Sequence, residues 1–189
     1  MPPPPRLYPL FLRLEGRLVV VAGAGAVAER KIDDLLAAGA RVRVIAPEAT
    51  SHVRTLVERG DVEWHARKLL PGDFDDAWLA MAATTDDAAQ ALAAREAERL
   101  RIFCIAVDDI PNTSAFGGAT LRRPPFLVVI STSGEAPALA RLLREMLDQF
   151  LPEESWIAEA RALRRKWKAD GTPMASRFGE LVRAFKART

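Results

Sequence analysis

The feature that most constrains this chain is an apolar run that ends in a small-residue turn and passes at once into a helix pattern. Leu18-Val19-Val20-Val21-Ala22 is continuously apolar and β-branched, as a strand buried on both faces of a parallel sheet must be. Gly23-Ala24-Gly25-Ala26-Val27-Ala28 follows without a gap, and Glu29-Arg30-Lys31 leads an amphipathic helix. Strand, Gly-x-Gly-x-x-Ala and helix in this order form the context that a dinucleotide fingerprint requires. Gly23 permits the tight turn, Gly25 lets the backbone approach a pyrophosphate, and Ala28 keeps helix and strand close. The unpaired N–H groups and the dipole of the helix start then face the phosphate charge. Alone, the pattern is a weak signal, since small-residue turns are common in α/β proteins. The flanking elements give it weight.

The alternation continues along the chain. Glu29 to Ala38 places Ile32, Leu35 and Leu36 at helical spacing, with Gly39 as the stop signal. Val42 to Ala46 reads as a second strand broken by Pro47, Ser51 to Arg59 as a helix ended by Gly60, and Val62-Glu63-Trp64 as a short strand. Trp78 to Ala83 is a further buried strand, Ala88 to Arg99 an Ala-rich helix, and Phe103 to Val107 the strand after it. Leu10 to Leu14 alternates weakly, as a short edge segment would. Strands alternating with helices predict an α/β domain, a Rossmann-like parallel sheet with right-handed crossovers.

The character changes near Asp108. Pro111 to Gly118 is irregular, Phe126 to Ile130 is one more strand, and Ser131-Thr132-Ser133-Gly134 is a turn. From Pro137, the residues Leu139, Leu142, Leu143, Met146, Leu147 and Phe150 mark a helix with a wide apolar stripe, which Pro152 stops. Two short helices separated by Gly171-Thr172-Pro173 complete the chain. The expected division is 1–113 for the dinucleotide domain, 114–151 for a small dimerisation segment and 152–189 for a C-terminal helical domain. One strand and one helix cannot bury their own apolar faces, so residues 114–151 predict a homodimer.

Composition narrows the partners. The 189 residues suit one domain with an appendage or two small domains, and a net charge of +2 points to no nucleic acid. From Leu151 to Thr189 nine Lys or Arg face five Asp or Glu, which reads as a solvated helical face or, alternatively, an anion-binding one. The single Cys104 excludes an intrachain disulfide and sits in an apolar run as a buried, inert thiol. No run is long enough to span a membrane, and Met1-Pro2-Pro3-Pro4-Pro5 lacks signal-peptide order, so a cytoplasmic protein is expected. His52 and His65 stand far apart with no cysteine near either, so no metal site is expected.

Three places can carry chemistry. An acid about 20 residues after the fingerprint binds the ribose 2′-hydroxyl in dinucleotide sites. Here Ala46 and Pro47 occupy the expected place and Glu48 follows, so Glu48 or the backbone at Pro47 reaches the ribose, or Glu48 merely caps the next helix. Arg41 and Arg43 raise NADP as an option, but NAD is the better fit. Asp108 stands where a strand delivers residues to the ligand crevice and suits general acid–base work; its plain alternative is capping the turn before Pro111. Ser131, Thr132, Ser133 and Gly134 precede a helix start, with Arg122, Arg123, Arg141 and Arg144 nearby in sequence. They make either a pocket for a polycarboxylate or ordinary capping beside surface arginines.

Tyr8-Pro9-Leu10-Phe11-Leu12, Val27-Ala28-Glu29-Arg30-Lys31, Ala82-Ala83-Thr84, Phe103-Cys104, Val107-Asp108, Ile130-Ser131-Thr132 and Pro137-Ala138-Leu139-Ala140-Arg141 together resemble the precorrin-2 dehydrogenase family, which includes a module of siroheme synthases. The resemblance covers nearly the whole chain. It implies NAD-dependent oxidation of precorrin-2, a tetrapyrrole with eight carboxylates, to sirohydrochlorin by a homodimer. It places the catalytic aspartate at Asp108 and nucleotide contacts around Gly25, Ala26, Val27, Pro47 and Glu48, beside the Gly23 that the fingerprint itself assigns to the cofactor turn. Thr84 falls near the nicotinamide, and Ser131, Thr132 and Arg141 fall to the substrate. The chain departs from the family pattern at Ile105-Ala106, at Phe116-Gly117-Gly118-Ala119, which loosens a wall of the expected site, and at Ala136, which removes a helix N-cap. Two alternatives stay open: an enzyme that also inserts Fe2+ into sirohydrochlorin, and a non-enzymatic sensor of NAD or tetrapyrrole.

Overall fold

A computed structural model describes residues 7–151 and 154–186; Met1–Pro5 and the Pro152 stop signal lie outside the described residues. The chain divides into two compact units, Met1–Gly117 and Gly118–Thr189.

The first unit contains β1 (Leu18–Ala22), α1 (Ala26–Ala37), β2 (Arg41–Ile45), α2 (Ser51–Glu58), β3 (Val62–His65), β4 (Leu79–Ala82), α3 (Asp87–Leu100) and β5 (Phe103–Ala106). All five strands run parallel in the order β3-β2-β1-β4-β5, the Rossmann-like sheet expected. The chain winds outward from β1 through β2 and β3, then returns to lay β4 on the other side of β1. That reversal opens a crevice at the carboxyl ends of β1 and β4. Val19, Val21 and Val44 pack on one face against Ala28 and Ile32 of α1 and Val53 and Leu56 of α2. Val20, Ala22, Ala80 and Cys104 pack on the other against Ala93 and Ala97 of α3 and Phe74 of the β3–β4 loop. With both faces covered, β1 reads as an unbroken apolar run rather than as an alternation, because every side chain has apolar neighbours to bury against.

Several boundaries differ from the sequence reading. Helix α1 starts at Ala26, three residues before Glu29, because the second half of the fingerprint is itself the first helical turn. Gly39 (φ 76°) and Gly60 (φ 77°) end their helices as expected, whereas α3 ends in a left-handed Arg101 (φ 57°) that no glycine announces. Residues 7–14 form no strand. Tyr8 and Phe11 are exposed, and no neighbouring strand takes up the backbone groups there. Beyond β5 the chain folds back, and Thr113 Oγ1 accepts from Ala106 N (3.0 Å) and donates to Ala106 O (2.8 Å). Ser114 Oγ accepts from Cys104 N (2.8 Å), and the Ser114 and Ala115 N–H groups donate to Cys104 O.

The second unit contains β6 (Ala119–Arg123), β7 (Phe126–Ile130), α4 (Pro137–Asp148), α5 (Glu154–Ala169) and α6 (Met174–Lys186). The single strand expected at Phe126–Ile130 is half of an antiparallel hairpin with β6. Ala-Thr-Leu-Arg-Arg carries no strand alternation of its own; pairing with the apolar β7 supplies what its sequence lacks. Gly118 begins this hairpin under tight packing rather than slack, since a Cβ there would lie 2.6 Å from Val129 Cγ1 and 2.7 Å from Ile130 O. Helix α4 packs on both strands, and Arg123 fastens its end by donating to the Asp148 carboxylate (2.6 Å) and to the Asp148 and Leu151 carbonyls. Only Ala140 of α4 is buried. Helices α5 and α6 pair through buried Trp167, whose Nε1–H donates to Glu180 (2.6 Å), and through stacked Trp156 and Phe185. Among the described residues, no helix is long and apolar enough to cross a membrane.

Candidate functional site

A cavity of about 700 Å3 opens at the carboxyl ends of β1, β2, β4 and β5. Its floor is the fingerprint: Gly23, Gly25, Ala26 and Val27 all line it. Gly23 is required by the protein itself. It sits at φ +111°, its N–H donates to Ile45 O (3.0 Å), and a Cβ there would fall 2.2 Å from Ala83 O. Gly25 differs, because a Cβ at this position would meet nothing within 4 Å. It is the N-cap of α1 and carries no side chain to satisfy the first N–H groups of the helix. An open space before uncapped donors at a helix start is the arrangement that suits a pyrophosphate, so the residues present fit a dinucleotide.

Pro47 and Glu48 line one flank of the cavity. Trp64 holds that flank in place by donating its indole N–H to Ala46 O (3.0 Å). The cap of α2 is Thr50, whose Oγ1 accepts from Val53 N, so Glu48 does not cap the next helix. Arg41 opens β2 at the amino edge of the sheet, away from the cavity mouth, and Arg43 donates to Glu63 (2.9 Å). The His65 and Arg43 hydrogen bonds hold the Glu63 carboxyl below its ordinary range. Neither arginine lines the cavity; among the described residues, the cation that does is Lys68, on the loop after β3. Sequence reading passed over Lys68 because nothing in its surroundings marks it.

The opposite flank holds Thr84, Asp86, Gln90 and Asp108. Asp86 caps α3 by accepting from Ala88 N and Ala89 N. Asp108 follows the end of β5 in a left-handed conformation (φ 58°) and is exposed at the cavity. The turn before Pro111 is capped by Asp109 instead, which accepts from Asn112 N (3.4 Å) and Asn112 Nδ2 (2.6 Å). Among the described residues, no hydrogen bond occupies the Asp108 carboxylate. Gln90 was missed, although its spacing gives it away: with Ala93 and Ala97 it lies on the buried face of α3, where an amide is unusual.

Ser131, Thr132 and Arg141 lie in the second unit. Ser131 Oγ accepts from Ser133 N (3.2 Å), Thr132 Oγ1 accepts from Ala136 N (3.0 Å), and Arg141 donates to Glu145 (2.9 Å), which Arg144 also reaches. Arg141, then Arg144, hold the Glu145 carboxyl below its ordinary range. Cys104 is buried, and burial with help from the Asp109 charge pushes its thiol up to about 11, as befits an inert sulfur. His52 pairs with Asp33 (2.9 Å) and His65 with Glu63 (2.7 Å). Among the described residues, no group of three or more His, Cys, Asp or Glu is placed to hold a metal ion.

Residues 10–119 match a family described as putative NAD(P)-binding. Among known proteins, siroheme synthase 3 of Aeromonas hydrophila is 40% identical over 171 residues, covering 89% of this chain and 36% of that protein. Siroheme synthase 1 of Yersinia enterocolitica is 38% identical over 172 residues, covering 91% of this chain and 36% of that protein. The chain thus spans about a third of the length of these curated relatives. Among solved structures, the precorrin-2 dehydrogenase SirC shares the fold with a TM-score of 0.71 at 22% identity, over 94% of this chain and 88% of SirC.

Proposed function

This chain belongs to the putative NAD(P)-binding family and resembles the siroheme synthases and precorrin-2 dehydrogenases, and from that premise we propose that it oxidises precorrin-2 to sirohydrochlorin with NAD+. The observation that carries the proposal is the placement of Asp108, an unengaged carboxylate, on the rim of a cavity floored by the Gly23–Gly25 turn. Bound NAD+ supplies the hydride acceptor. Gly25 and the N–H groups of Ala26 and Val27 hold the pyrophosphate, while Pro47 and Glu48 hold the adenosine ribose. A carboxylate at Glu48 accepts from a 2′-hydroxyl and repels a 2′-phosphate, which favours NAD over NADP.

Thr84 and Asp108 belong to the nicotinamide half of the cavity. Oxidation removes a hydride and a proton from the substrate, and Asp108 takes the proton as general base. Ser131, Thr132 and Arg141 serve the substrate carboxylates, Arg141 by exchanging its Glu145 partner for a bidentate substrate group. The protein acts in the cytoplasm as a homodimer joined through residues 114–151.

Incubating the protein with NAD+ and precorrin-2 and following NADH absorbance tests the reading. Asp108→Ala is expected to lower turnover by about 100-fold or more while NAD+ affinity stays near wild type. Binding of both ligands without NADH formation would instead identify a sensor.

A further inference from the structure

Gln90 is a buried side chain at the cavity that the reading above leaves without a task. It is 6% exposed, lies on α3 and lines the cavity. Its Nε2 donates to Thr84 O at 2.7 Å and, at a longer 3.4 Å, to Val107 O. Both partners are carbonyls, so the amide has one orientation, with nitrogen toward the strand ends. The cost is visible on the other atom, since Gln90 Oε1 is buried with no hydrogen-bond partner among the described residues. A methionine or leucine would fill the same space on the apolar face of α3 without orphaning an oxygen, so packing alone does not explain an amide here.

What the amide accomplishes is local. Thr84 follows the end of β4, and Val107 follows the end of β5. The Val107 carbonyl belongs to the peptide that leads directly into Asp108, whose left-handed backbone is costly for most residues with a Cβ, though less so for aspartate. Such a conformation persists only where the surroundings over-determine it. On one side of Asp108 the Asp109–Asn112 turn and the Thr113 bonds to Ala106 fix the chain. On the other side, the Val107 N–H donates to Ala82 O (2.8 Å), and Gln90 holds the carbonyl of the same residue.

We propose that Gln90 is a positioning residue: its amide clasps the ends of β4 and β5 and so fixes the backbone that presents the Asp108 carboxylate to the cavity. The proposal rests on Asp108 being the proton acceptor.

Gln90→Met and Gln90→Asn, made in the full chain, test it. The first keeps the volume and removes the amide; the second keeps an amide one methylene too short to span both carbonyls. Both are expected to lower kcat by roughly 10- to 100-fold, with the dissociation constant of NAD+ from calorimetry changed by less than about threefold and the melting temperature close to wild type. Amide hydrogen exchange in peptides spanning 107–112 is expected to quicken in both variants, with or without ligand. Unchanged kcat and exchange would overturn the proposal. So would loss of kcat, NAD+ affinity and melting temperature together, or failure of both variants to fold, since each would make Gln90 a structural brace. If Asp108→Ala turns over normally, the reading of Asp108 fails as well; if only the Gln90 variants do, that reading stands.

Discussion

Gly23 and Gly25 stand two residues apart in one turn, yet the protein asks different things of them. At Gly23 a methyl group would collide with the Ala83 carbonyl and force a left-handed residue with a Cβ. At Gly25 the backbone is ordinary (φ −84°) and the space is open. Gly23→Ala is therefore expected to lose roughly 2 kcal/mol or more of stability, seen in thermal or urea unfolding. Gly25→Ala should unfold like wild type and lose at least about tenfold in NAD+ affinity by calorimetric titration, because the methyl displaces a pyrophosphate rather than protein. Undiminished affinity in Gly25→Ala would sink the placement of the cofactor. The fingerprint displays both glycines openly, since they recur at fixed offsets from a strand end. Lys68 was not legible, because it reaches the cavity only through the winding of the chain, on a loop after β3; Gln90 was passed over although its spacing with Ala93 and Ala97 puts it on the buried face of α3. The left-handed backbone of Asp108 was hidden because aspartate tolerates that conformation without requiring it, and contacts on both sides hold it there.

The loop joining β3 to β4 shows how an irregular element is held. Buried Phe74 anchors it in the core, and the Arg67 guanidinium forks onto both Asp73 oxygens at 2.8 and 2.6 Å. The same carboxylate accepts from Leu70 N (2.7 Å), so Lys68 and Leu69 are delivered to the cavity wall on a fixed path. Arg67 first, then the Leu70 N–H, hold the Asp73 carboxyl below its ordinary 3.8. The folded protein thus prefers the ionised form more than the unfolded chain does. The resulting stabilisation is complete above the ordinary carboxylate range and disappears as the pH falls through the lowered value. Asp73→Asn should cost about 1 kcal/mol near neutral pH and flatten the acid limb of a stability-versus-pH curve below pH 4. An acid limb identical to wild type would show that the pair does not couple to folding. At this scale, hydrophobic periodicity located most helices and strands of the first unit, because each buries a stripe or a run. It missed β6, whose residues become a strand only by pairing with β7.

Among the described residues, the second unit leaves a conspicuous apolar stripe uncovered. Leu142 and Met146 of α4 and Phe150 just beyond its end are 52%, 49% and 77% exposed, and Leu127 and Val129 of β7 lie open as well. Covering a leucine-sized side chain is worth about 1.5–3 kcal/mol, so even partial cover of the α4 stripe yields several kcal/mol per copy. We expect sedimentation at micromolar concentration to show a dimer, and Leu142→Glu with Met146→Glu to convert it to a monomer; a wild-type monomer would remove the interface. The apolar stripe was plain in the sequence because its helical spacing survives without knowledge of a partner. The hairpin that shares the second unit was only half visible.

The two margins of the parallel sheet show how a further strand is kept from adding to it. An outer strand with free N–H and C=O groups is a template on which another chain can add itself, indefinitely. Along β5 the Thr113 and Ser114 hydroxyls and the returning backbone already occupy those groups at Cys104 and Ala106. Along β3 the deterrent is charge, with Glu63 and His65 standing beside Arg43. Growth of the sheet therefore stops at five strands on both sides, by hydroxyl on one and by ion pairing on the other. A chain built this way can expose an apolar helix without also offering a strand edge for open-ended growth.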